Sequence, residues 1–114
     1  MELNARLERI RSILDQNKAE DIEVFDLSNT GYMADGVVIA SALADRHLLA
    51  LIDFLKKDLK PAGEQFLHVD QGDEWIVADL GDVLIHLMVP SAREKYHLEA
   101  FLKEFEAKKR EREA

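Results

Sequence analysis

The run Glu74-Trp75-Ile76-Val77-Ala78-Asp79-Leu80-Gly81-Asp82-Val83-Leu84-Ile85-His86-Leu87-Met88-Val89, residues 74–89, holds two strand-like segments around a two-residue link. The link, Gly81-Asp82, is of the kind that closes a tight hairpin. Side chains alternate along a strand, so Trp75, Val77 and Asp79 share one face, and Glu74, Ile76, Ala78 and Leu80 share the other. The second set is mainly apolar and reads as a core face. The first joins the only tryptophan of the chain to a carboxylate, which fits neither a closed core nor a plain solvent face. Two explanations compete: a tryptophan packed under a helix, or an interface anchor of the kind found at binding hot spots.

Outward from this hairpin the pattern changes period. Residues 2–18 carry Leu3, Leu7, Ile10 and Leu14 at helical spacing, with Glu and Arg opposite. Asp21 to Leu27 alternates like a strand, Ser28-Asn29-Thr30-Gly31 is a turn cluster, and Val37-Val38-Ile39-Ala40 suits an interior strand covered on both faces. Asp45 is placed to cap a helix whose stripe is Leu48, Leu51, Ile52, Leu55 and Leu59, with Lys56, Lys57 and Lys60 at its negative end. Pro61 and Gly63 stop it. Phe66–Asp70 is a further strand, Pro90 ends the last one, and Ser91 is placed to cap a final helix with Leu98, Phe101, Leu102 and Phe105. The order α-β-β-α-β-β-β-α predicts a single α/β domain, a mixed five-stranded sheet flanked by helices. Residues 1–106 form that domain and 107–114 a charged C-terminal tail.

Composition bounds the function. The chain has 114 residues, 47% hydrophobic and 33% charged, which suits one globular core. It has no cysteine, so disulfides, thiolate metal sites and thiol nucleophiles are excluded. Nothing reads as a signal peptide or a membrane span, so a soluble, cytoplasmic protein is expected. A net charge of −8 repels phosphate backbones, disfavours nucleic acid as the dominant partner and suits a basic protein surface. Lys108, Lys109, Arg110 and Arg112 run against that trend; they read as a solvated helix end, with a phosphate-touching tail as the alternative.

Catalytic constellations are thin. Asp73, Glu74, Asp79 and Asp82, with His86 nearby, could hold a divalent cation, but aspartates flanking a turn ordinarily cap local amides. His86, in an apolar strand, reads as a core or partner-facing histidine rather than a base. Ser28, Ser41 and Ser91 have turn or capping roles, and the glycines form neither a phosphate loop nor a dinucleotide fingerprint. Arg46-His47 could hold an anion at a helix start, although a solvated first turn is the simpler reading. No cofactor, metal or enzymatic activity is expected. The alternatives are a nucleotidyltransferase-like metal-dependent enzyme using Asp79 and Asp82, and a dimerisation module using the same sheet edge.

The segment 74–86 resembles the Iojap-like ribosomal silencing factor family, whose signature is Trp-x-x-x-Asp-x-Gly-Asp-x-x-x-His. Lys18 to Ile22, Asp35 to Ser41, Arg46-His47, and Arg93, Tyr96, Leu98 and Glu99 are similar to its other motifs, in order, over about residues 3–105. Ala42-Leu43-Ala44, Gly36 and Leu102 depart from its usual pattern. The resemblance implies a fold related to nucleotidyltransferases without their catalytic motif. It implies binding to the large ribosomal subunit through ribosomal protein L-fourteen, which blocks small-subunit joining and represses translation under nutrient limitation. It also implies that Trp75, Asp79 and Leu80 lie at that contact, with Gly81, Asp82 and Tyr96 as weaker members, and leaves a homodimer open as a further partner.

Overall fold

Leu7, Ile10, Ile13 and Leu14 recur every three or four residues, and a helix that shows them on one side must bury that side. In the computed structural model, which describes residues 2–113 and only the backbone at Arg110, Arg112 and Glu113, they form the buried stripe of α1 (Leu3–Gln16). Asn17 closes α1 by donating its side-chain amide to the Ile13 carbonyl at 2.7 Å. Strands β1 (Glu20–Asp26) and β2 (Gly36–Ser41) follow, then α2 (Asp45–Leu59), β3 (His68–Gln71), β4 (Trp75–Asp79) and β5 (Val83–Met88). The chain ends in α3 (Pro90–Tyr96) and α4 (Leu98–Glu113).

The strands form one mixed sheet in the order β1-β2-β5-β4-β3. Only β2 and β5 run parallel; the other neighbours are antiparallel. β2 is buried at every residue, as its β-branched run requires of an interior strand. Register sets the two faces. Val38 pairs with Ile85, and Ile85 with Ala78, so these share one face, which α1 and α2 cover. At Gly36 the cover is so close that a Cβ would lie 2.8 Å from Leu7 Cδ2. Ile39, His86, Val77, Trp75 and Asp79 share the other face. α4 packs over its β1 side, where Leu102 is fully buried, and α3 is tied to β1 and β2 through Arg93.

Several local expectations are corrected. The final helix is two helices, because His97 turns left-handed at φ 48° and its amide closes α3 on the Arg93 carbonyl. Ser91 caps nothing: Pro90 takes the first helical position, where its missing N–H is harmless. Asp45 is the first residue inside α2, not its cap. The helix start is tied instead by His47, whose Nδ1 accepts the Leu43 amide at 2.9 Å while Nε2 meets the Asn17 carbonyl at 2.8 Å. His47 thus links α2 to the end of α1 and is no solvated residue. β3 begins at His68 rather than Phe66, although the Leu67 amide already bonds the Asp79 carbonyl. At the C-terminus, Lys109 pairs with Asp26 at 3.1 Å and holds α4 along β1. Of the basic run, the side chains of Arg110 and Arg112 lie outside the described residues.

Candidate functional site

Trp75 opens β4 on the half-covered face. Its indole is half-buried, and the ring lies 5.0 Å from that of Tyr96, the last residue of α3. Tyr96 is 52% exposed, too open to be a core residue. The indole N–H donates to Nδ1 of His86 at 3.0 Å. Burial pushes the His86 pKa down to about 4, so the ring is neutral at pH 7 and its nitrogen is available as an acceptor. Beside the two aromatics runs a shallow cleft of about 320 Å³, lined by Gly72, Asp73, Glu74, Trp75, Ala92 and Tyr96. Two acids and two rings around one cleft suit a cationic side chain better than an anion.

The elbow at His97 puts Tyr96 there, and Arg93 holds the elbow. Arg93, 7% exposed, donates to Ser41 Oγ at 2.9 Å and to Glu23 at 2.8 Å, with Glu99 at 3.7 Å. Glu23 also meets Lys103 of α4 at 3.3 Å. Buried guanidinium groups are tolerated only when paired in this way. The network pins α3 and α4 to β1 and β2.

The other end of the hairpin is chemically distinct. Asp79 accepts the Gly81 amide at 2.8 Å, which makes the turn, and Gly81 sits at φ +95°, a conformation that favours glycine. Asp82 binds Arg6 of α1 through both oxygens, at 2.6 and 2.9 Å, and Arg6 also grips Glu64. The same guanidinium holds the Asp82 carboxyl below its ordinary range. Both carboxylates therefore have protein partners with ordinary structural roles. Among the described residues no group of three or more His, Asp or Glu could hold a metal ion, and no helix is long and apolar enough to cross a membrane.

The structure thus brings Trp75 and Tyr96 together and sets Asp79 roughly 13 Å along the strand, with Gly81 and Asp82 in the turn beyond it. Leu80 is 7% exposed and faces the covered side. Between the two ends lie half-buried Val77 and Leu84, and beside Gly81 lies Leu67, 63% exposed. The sequence reading did not single out these apolar neighbours. Leu67 carries no periodic signal, but Val77 and Leu84 could be found by counting outward from the turn.

Comparison with known proteins gives one consistent result. All of residues 1–114 match the family model described as ribosomal silencing factor during starvation. Ribosomal silencing factor RsfS of Haemophilus influenzae is 35% identical over 97 residues, spanning 83% of this chain and 95% of that protein. The mouse protein named mitochondrial assembly of ribosomal large subunit protein 1 is 34% identical over 82% of this chain, which matches only 43% of its length. A crystal structure from Chromobacterium violaceum superposes with a TM-score of 0.84 at 28% identity, covering 90% of this chain and 88% of that one.

Proposed function

The chain belongs to the ribosomal silencing factor family, and from that premise we propose that it binds the large ribosomal subunit through ribosomal protein L-fourteen and blocks small-subunit joining. The observation that carries this reading is the pair of half-buried Trp75 and exposed Tyr96 beside an acidic cleft, on a sheet face that the chain's own helices leave half open. Aromatics with a polar rim are what a protein-binding hot spot requires. A net charge of −8 favours a basic ribosomal protein over naked RNA. Trp75 and Tyr96 anchor the contact, Asp79, Gly81 and Asp82 shape its far end, and Leu80, buried on the closed face, supports the turn from beneath. Repression follows from occupancy alone: a domain seated on the subunit interface excludes the second subunit and needs no reaction. It would act in the cytoplasm, where subunits meet.

The test is subunit association followed by light scattering. Protein added to separated large subunits before small subunits are supplied should lower the associated fraction in proportion to occupancy. Full association at saturating protein contradicts the proposal.

A further inference from the structure

His86 sits where the rest of β5 is aliphatic. Ile85 and Leu87 on either side are fully buried, and His86 itself is 7% exposed. A leucine there would bury no polar atom, whereas an imidazole brings two nitrogens that need partners. Nδ1 has one, the Trp75 indole N–H at 3.0 Å. With Nδ1 accepting, the ring proton is on Nε2, and that buried atom has no hydrogen-bond partner among the described residues. Leaving a buried donor unpaired costs about 1–3 kcal/mol. The imidazole is therefore an expensive residue with one specific contact, and that contact ends on Trp75.

We infer that His86 is a positioning residue for docking: its Nδ1 holds the Trp75 indole in one orientation between β5 and Tyr96. The inference rests on the docking reading above. Ring contact with Tyr96 at 5.0 Å and packing on the core are non-directional, so by themselves they do not fix where the indole N–H points. The hydrogen bond fixes that direction before the partner arrives, so less side-chain entropy is lost on binding.

Trp75 is the only tryptophan, so its near-ultraviolet circular dichroism and fluorescence anisotropy report this ring in the free protein. His86→Leu should keep the far-ultraviolet spectrum, lose most of the tryptophan band and bind purified large subunits about tenfold more weakly, one hydrogen bond's worth. His86→Asn, whose Oδ1 can stand near Nδ1, should restore both, and His86→Gln, whose oxygen lies one carbon farther out, should not. In a Trp75→Phe background, which has no N–H to place, His86→Leu should have no further effect on affinity. An unmoved tryptophan band in His86→Leu, equal behaviour of the Asn and Gln variants, or a tenfold loss that persists beside Trp75→Phe overturns the inference. Trp75→Ala separates the two levels. If it binds at wild-type affinity, the docking reading falls and takes the inference with it; if it loses binding while the His86→Leu band is unmoved, only the inference falls.

Discussion

The two faces of the sheet are built from the same strands and differ in what lies over them. The face of Ile76, Ala78, Ile85 and Leu87 is fully buried under α1 and α2, and its side chains are aliphatic. On the other face Trp75, Val77, Asp79 and Leu84 are half-buried, and α3 reaches only the Trp75 end, through Tyr96. Side chains alternate with period two, so each residue step along β4 crosses from one regime to the other. The difference teaches that stability and recognition in this small domain use one element without competing for the same side chains. His86 and Met88 belong by register to the second face but are buried like the first, and His86 is bonded to the Trp75 anchor.

The largest expected effect lies on the closed face. Ile85→Ala should cost about 2–5 kcal/mol in urea unfolding, the range for aliphatic truncation in a packed core. A loss below about 1 kcal/mol would mean that the closed face is looser than it looks. Next comes acid. The folded pKa of His86, about 4, lies below its ordinary 6.5, so the unfolded chain takes up a proton that the folded chain refuses. Stability from this group is complete above pH 6.5 and is lost as pH falls through 6.5 towards 4, by roughly 3 kcal/mol at the limit. Urea midpoints at pH 7.5 and 4.5 should therefore diverge more in the wild type than in His86→Leu; equal divergence would deny the buried neutral imidazole. Smaller still, Gly81→Ala places a side chain at φ +95° with its Cβ 3.2 Å from Leu67. It should cost about 1–2 kcal/mol and act through the turn, leaving the Trp75 end untouched.

Much of this contrast is legible in the sequence. Counting outward from Gly81-Asp82 puts Leu80 opposite Val83 and Trp75 opposite Met88, and the observed register agrees. The mixed face of β4, the interior position of β2 and the mixed sheet all follow from periodicity and turn chemistry. What periodicity could not give depends on contacts distant in sequence or on unusual backbone. Arg93 meets Glu23 across 70 residues, and Arg6 meets Asp82 across 76. No local pattern encodes either pair. The break between α3 and α4 falls on His97, a residue without glycine's licence for positive φ, so no stop signal marks it. Leu80 shows a further limit. Its place in a signature suggests a contact residue, while alternation puts it on the closed face, where it is 7% exposed.

Co-sedimentation with purified large subunits tests the half-open face most directly. Wild type, Trp75→Ala and Leu49→Ala would be compared, since Leu49 is 52% exposed on α2, which covers the closed face. The prediction is that Leu49→Ala pellets like wild type, while Trp75→Ala stays folded and loses about 2 kcal/mol or more of binding, roughly thirtyfold in affinity. Trp75→Ala pelleting at wild-type affinity, or Leu49→Ala losing it, would contradict the assignment of docking to this face.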